Sequence, residues 1–256
     1  MPGPDMRPGL RDGIRSLLGG FGLLNKPGVR LFVIIPLLIN VLLFAAVIVY
    51  GAGQLGQFIA WLEGQLGGWW EWVDWILWLL WPLFVIFALL LVFFSFSILA
   101  NLIAAPFNGF LAAAVEQHLT GSWPDDGGTL KQLPQEIIKA FSGEVRKLMY
   151  FALWALPLLL LSVIPLVNIA SPVLWFLFGA WMLALEYMDF PMGNHGHTFP
   201  TIRGMLTRQR PAAFGFGMAA LLLSMIPVVN FIAMPVAVAG ATRLWVKMEG
   251  SGVGKN

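Results

Sequence analysis

Charged residues are confined to short segments of this chain, and between them lie four long stretches that contain none: residues 31–62, 75–115, 148–185 and 211–242. Each exceeds the roughly 20 apolar residues that carry a helix across a bilayer. The flanking segments have a different period. Leu10, Ile14, Leu17, Leu18 and Phe21 recur at helical spacing, with Arg11, Asp12 and Arg15 on the opposite side, which predicts an amphipathic helix on the membrane surface. After the "GLLNKPGVR" break, Pro27 pre-sets the backbone for the first turn of a new helix. A further amphipathic helix opens at Pro134, with Ile137, Ile138, Phe141, Val145 and Leu148 on one face.

Within the third and fourth blocks one phrase is written twice, "SVIPLVNIASPV" from Ser162 and "SMIPVVNFIAMPV" from Ser224. Each copy divides its block into two legs, 148–164 with 172–185 and 211–226 with 235–245. At ~1.5 Å per residue at least three of these legs fall short of a ~30 Å hydrocarbon core. Pro165 and Pro172, like Pro227 and Pro235, are expected to end helices on either side of an apex. Asn168 or Asn230 is expected to bond the backbone groups that such a break frees. The expected fold is therefore an all-α integral membrane protein with two long transmembrane helices, two re-entrant (hemi-penetrating) helical hairpins and amphipathic surface helices. Four ordinary spans with short Pro-containing outer turns fit the same charges.

Composition agrees with this reading: the chain is 59% hydrophobic and 11% charged over 256 residues, where a soluble domain is about 25% charged. Lys and Arg number five before Leu31, none in 31–130, four in 131–147, three in 203–210 and three from Arg243 onward. The positive-inside rule then puts both termini, 116–147 and 186–210 in the cytoplasm. Seven of the twelve Trp lie between Trp61 and Trp81, an aromatic belt at the outer interface. The organisation is one membrane domain: an N-terminal helix and turn over 1–30, two long helices over 31–115, a linker with an amphipathic helix over 116–147, hairpins over 148–185 and 211–246, a cytoplasmic segment over 186–210 and a flexible tail over 247–256. No cleavable signal is expected, because the first long apolar block starts only near Leu31.

Cysteine is absent, so disulfides, thiolate metal sites and cysteine nucleophiles are excluded, and a net charge of +2 gives no argument for nucleic acid. No convincing set of nucleophile, base and metal appears, and no enzyme or cofactor is expected. The best anion site is the turn containing Gly22, Leu23, Lys26, Gly28, Val29 and Arg30, where glycines, two cations and helix-start N–H groups suit a dianion with no proton to donate. Glu186 and Asp189, one helical turn apart at the end of an apolar block, are candidates for proton coupling; pairing with Arg203 or contact with the lipid interface is the plainer alternative. Pro106 and Asn108 in "APFNG" mark a pore-facing break or a helix end, and Asn168 and Asn230 a hairpin apex. His195 and His197 lack a third ligand in the sequence, so no metal is expected there. "GSGVGKN" imitates a phosphate loop but lacks the first Gly, a following Ser or Thr and a following helix.

Four segments, "KPGVRLFVIIPLLINVLLF", "LANLIAAPFNGFLA", "SPVLWFLFGAWMLALEYMDFPMGNHGHTF" and "MIPVVNFIAMPVAVAGATRLW", resemble in order the CysZ sulfate permease family of bacterial inner membranes. That resemblance implies two long transmembrane helices with two pairs of partly penetrating helices. It also implies homo-oligomers, and proton-dependent sulfate uptake for cysteine biosynthesis without an ATP-binding subunit. The family binds sulfate at a Pro-Gly-apolar-Arg-Arg turn; Pro27, Gly28, Val29 and Arg30 match it, while Leu31 stands where the second Arg belongs. The alternative function is a hairpin protein that shapes or scaffolds membrane without transport.

Overall fold

A computed structural model describes residues 8–66, 82, 86, 107–124 and 133–251. Among these the chain is helical, with no strand. The helices are α1 (Leu10–Leu24), α2 (Leu31–Leu66), α3 (107–120), α4 (Leu133–Val163), α5 (Ser171–Gly193), α6 (Phe199–Arg208), α7 (Arg210–Ser224) and α8 (Pro227–Gly250), with a short 3₁₀ turn at Val167–Ala170. The described chain forms two compact units, one of 34–107 and one of 1–33 with 108–256. The first contains most of α2, a 36-residue helix, about 54 Å long. The second holds the other helices, the functional candidates and the packed core. Pro106, most of the Trp-rich segment and the expected second long helix before residue 107 lie outside the described residues.

The core of the larger unit sits where the hairpins begin and end, not where they turn. Ala184, Leu185, Met188 and Met192 of α5, Ala212 and Phe216 of α7, and Val238, Ala239, Leu244 and Trp245 of α8 are buried together. At the hairpin tips the exposure reverses: Val163, Leu166, Ile169 and Met225 are all open, Leu166 to 84%. Each such side chain forgoes roughly 1.5–3 kcal/mol when it faces water. Val145–Val163 and Val167–Gly193 are long and apolar enough to cross a membrane and keep most of that surface outside the packed core.

The close contacts depend on small residues. A Cβ on Gly217 of α7 would run into the Ala180 carbonyl of α5, one on Gly13 of α1 into the Ala212 carbonyl of α7, and one on Gly20 into the Val236 carbonyl of α8. α1 therefore docks through Gly13, Ser16, Leu17, Gly20 and Leu23, while Leu10, Leu18 and Phe21 of the expected apolar face stay exposed. The periodicity located the helix but not the face that packs. The start of α1 is held by Asp12, whose carboxylate accepts the Gly9 N–H at 2.7 Å and Lys247 Nζ of α8 at 2.6 Å. Those two bonds hold the Asp12 carboxyl below the usual carboxylate range.

Several sequence expectations change here. α2 begins at Leu31, with residues 25–30 forming turns, so Pro27 belongs to the turn and not to the helix. The amphipathic stretch from Pro134 and the first leg are one helix of 31 residues. α5 remains helical to Gly193 and α8 to Gly250. In the first hairpin, Val145–Val163 and Val167–Gly193, of 19 and 27 residues, are by length and composition long enough to cross a membrane. In the second hairpin α7 has 15 residues, roughly 22 Å, and only residues 227–242 of α8 precede a charge, roughly 24 Å.

The duplicated phrase folds in two ways. In the first copy Pro165 lies in the turn, Leu166 takes a positive φ of 70° and Pro172 opens α5. In the second copy Pro227 itself opens α8, and Pro235 sits inside that helix instead of ending one. Asn168 and Asn230 stabilise these reversals through their main chain, with N–H bonds to Ile164 O at 3.0 Å and Ile226 O at 2.8 Å. Among the described residues neither Asn side chain makes a hydrogen bond, which corrects the capping role expected of them.

Candidate functional site

The turn between α1 and α2 is built around one buried apolar residue. Val29 is fully buried and anchors residues 25–30 to the core, as Leu23 does at the end of α1, while Gly22, Lys26, Gly28 and Arg30 face outward. The Lys26 carbonyl accepts both the Val29 N–H (3.1 Å) and the Arg30 N–H (3.2 Å), and the Phe32 and Val33 N–H groups reach back to Val29 and Arg30 at 3.1 and 3.2 Å. Most of the helix-start donors expected to face an anion are thus occupied. Gly28 and Leu31 carry the N–H groups of the turn that meet no backbone acceptor among the described residues. Gly28 adopts φ +86° with nothing within 4 Å of where a Cβ would stand, so its backbone is open to an approaching ligand. Lys26 and Arg30 have no ion-pair partner among the described residues. Two unpaired cations beside an open backbone are what an oxyanion requires.

Glu186 and Asp189 are brought together as expected, but their partner is Lys147 of α4 and not Arg203. The Lys147 Nζ lies 2.8 Å from Asp189 Oδ2 and 3.4 Å from Glu186 Oε2, with the lysine side chain nearly sealed from solvent. Arg203 instead places its guanidinium 5.3 Å from the centre of the Tyr150 ring, a cation–π distance. Sequence spacing could pair the two carboxylates because they share a helix face. It could not find a lysine some forty residues upstream. Its one signal is that Lys147 is the last charge before an apolar block.

Asn108 is buried, and its amide reaches the Met234 sulfur at 3.6 Å; the neighbouring Gly109 carbonyl accepts Asn194 Nδ2 at 2.9 Å. The described part of "APFNG" is therefore a packed joint between α3 and the hairpin bases. The exposed Asn168 and Asn230 stand on separate hairpins.

A group that sequence reasoning missed surrounds the two histidines. His195 Nε2 is 2.7 Å from Glu116 Oε1 of α3, and the rings of His195 and His197 lie 5.6 and 5.5 Å from the Trp245 ring of α8. Burial raises the Glu116 carboxyl above its ordinary value, against the pull of the His195 hydrogen bond. Burial also lowers the His197 imidazole, with the His195 charge acting in the same direction. Glu116 follows an uncharged run ending at Val115; a lone carboxylate in that position is the signal that could have drawn attention to it.

The family model described as Sulfate transporter CysZ/Etoposide-induced protein 2.4 matches residues 16–235. The chain is similar to the sulfate transporter CysZ of Pseudomonas fluorescens, 42% identical over 98% of this chain and 97% of that protein. It is 43% identical to the one from Salmonella typhimurium, over 92% of each chain, and 41% identical to the one from Pectobacterium atrosepticum, over 92% of this chain and 85% of the relative.

Proposed function

Because this chain belongs to the Sulfate transporter CysZ/Etoposide-induced protein 2.4 family, we propose that it is a sulfate permease that captures the anion at the turn between α1 and α2. The observation that carries the reading is the turn itself: Lys26 and Arg30 exposed and unpaired among the described residues, beside Gly28 at positive φ. Val29 fixes this loop to the core, so the cations are presented from an ordered backbone and little ordering entropy is lost on binding. Sulfate presents only acceptor oxygens, and the turn offers side-chain and backbone donors with no carboxylate between Phe21 and Arg30. Phosphate, which keeps a proton near neutral pH, finds no carboxylate to accept it in this loop.

In this proposal the protein lies in a bacterial inner membrane with both termini cytoplasmic, acts as a homo-oligomer, needs no ATP-binding subunit and supplies sulfate for cysteine biosynthesis. A dianion entering against an inside-negative potential faces roughly 2 × 2.3 kcal/mol per 100 mV, so uptake needs proton coupling or rapid consumption. Glu186 and Asp189 are the proposed coupling groups. A proton on either would weaken the hold of Lys147 on α5 and so link titration to the joint between α4 and α5. Sulfate flux into liposomes containing only this protein tests the function, with no flux favouring the membrane-shaping alternative. In the same assay Glu186→Gln and Asp189→Asn should flatten the pH dependence of flux while sulfate binding stays near wild type. An unchanged pH profile in both removes them from coupling.

The second hairpin is proposed to be re-entrant, because its apolar legs are shorter than the hydrocarbon core; the first carries the same proposal without that support. Cysteines introduced as Asn168→Cys and Asn230→Cys into this cysteine-free chain should resist a membrane-impermeant thiol reagent added outside the cell. Labelling at 168 alone would make the first hairpin a pair of spans, and labelling at both would establish four spans.

A further inference from the structure

We propose that Glu116, His195 and Glu249 form a binding site for one divalent transition-metal cation, with zinc the best-suited ion. The three come from α3, from the loop after α5 and from the last turn of α8, and one ligand atom from each lies within 4.8 Å of the others. Zinc bonds to His nitrogen and carboxylate oxygen at roughly 2.0–2.2 Å in a tetrahedral shell, and tetrahedral ligands at that range stand about 3.4 Å from one another. The present spacing therefore needs a contraction of about 1.4 Å or less at its widest pair. Glu249, at an exposed position near the end of α8, has the freedom to make it.

A second observation points to a ligand. The Glu116 side chain is 6% exposed, and while Oε1 meets His195, Oε2 is sealed from solvent with no hydrogen-bond partner among the described residues. A buried acceptor left unsatisfied costs about 1–3 kcal/mol, and here it belongs to one of two carboxylates crowded together. A single imidazole carries at most one positive charge and cannot compensate both. A dication compensates both charges and takes up the orphaned lone pair. An imidazole beside two carboxylates favours a borderline transition metal over calcium or magnesium, which select all-oxygen shells.

Neighbouring contacts already hold the ligands in place. Asn194, adjacent to His195, is tied to Gly109 of α3 at 2.9 Å, the same helix that carries Glu116. Trp245 packs against the His195 ring one turn before Glu249, on the same face of α8. Such outer contacts orient metal ligands. A bound ion would staple α3, the loop after α5 and the C-terminal end of α8 together, independently of any anion at the α1–α2 turn.

The test uses the full, tag-free chain in detergent, titrated with Co²⁺ as a spectroscopic probe and with Zn²⁺ in competition. One Co²⁺ per chain should bind with visible ligand-field bands and be displaced by one Zn²⁺, and Zn²⁺ should raise the thermal unfolding temperature. His195→Gln and Glu249→Gln should each weaken binding by at least the roughly 10–100-fold seen when only outer-shell partners are lost, and Glu186→Gln should leave it unchanged. Should His195→Gln fail to fold, Glu249→Gln, at an exposed helix end, decides the matter with helicity checked by circular dichroism. Absence of stoichiometric metal binding to the wild type, or wild-type affinity in Glu249→Gln, overturns the site.

Discussion

Replacing Arg30 with alanine is expected to weaken sulfate binding by about 10- to 150-fold, the equivalent of one charge-assisted hydrogen-bonded contact of roughly 1.5–3 kcal/mol. Arg30 is exposed and without an ion-pair partner among the described residues, so its removal breaks no salt bridge there and leaves the fold intact. Its main-chain N–H is already bonded to the Lys26 carbonyl, so the loss belongs to the guanidinium alone. Gly28→Val should also weaken binding, by a different route. No neighbour stands within 4 Å of the new Cβ, yet a φ of +86° costs a branched residue about 1–2 kcal/mol. Gly28→Asn, which tolerates that region better, should lose less. Leu31→Arg, at an exposed position, should tighten binding or leave it unchanged. Calorimetric titration of purified protein reads all four, and wild-type affinity in both Arg30→Ala and Gly28→Val would place the sulfate site elsewhere.

Gly217→Val is expected to destabilise the protein by at least the roughly 1–3 kcal/mol typical of overpacking, the largest loss among its glycine substitutions. The atom it would meet is the Ala180 carbonyl oxygen of α5, which is backbone and can move only if α5 and α7 separate. The smaller change Gly217→Ala brings no relief, since the first added carbon already makes the collision. Gly204 supplies the contrast. It lies on the exposed side of α6 with no atom within 4 Å of where a Cβ would stand, and Gly204→Ala should add up to about 1 kcal/mol through helix propensity. Thermal unfolding in detergent, followed by circular dichroism, should move in opposite directions for Gly217→Val and Gly204→Ala; equal shifts would remove close helix contact as the cause.

The parts of this protein legible from sequence are those whose physics is local. An uncharged run longer than a bilayer requires a helix in lipid whatever its neighbours are, so the helical class and the apolar blocks could be read directly. The α1–α2 turn was legible for the same reason, since Pro27, Gly28 and Arg30 lie within a few residues. Its donors were harder to read, because whether an N–H is free depends on which carbonyl folds back to it, and Lys26 takes two. The duplicated phrase shows the limit most clearly. Equivalent prolines open a helix in one copy and sit in a turn or inside a helix in the other, because a proline restricts its own φ and removes one donor but does not dictate where the next helix starts.

Composition and periodicity by themselves determined that this chain is helical, apolar over most of its length and cationic at the α1–α2 turn, because each of those properties is set by residues adjacent in sequence. Only the tertiary structure decided that α1 packs through a face of Gly13, Leu17, Gly20 and Leu23 that leaves Leu10, Leu18 and Phe21 exposed, that Lys147 holds Glu186 and Asp189, and that Glu116, His195 and Glu249 meet. Those outcomes depend on how closely two backbones approach and on which side chains the approach brings within a hydrogen bond. Pair distances between residues dozens of positions apart are fixed by packing, and no pattern along a single chain records them.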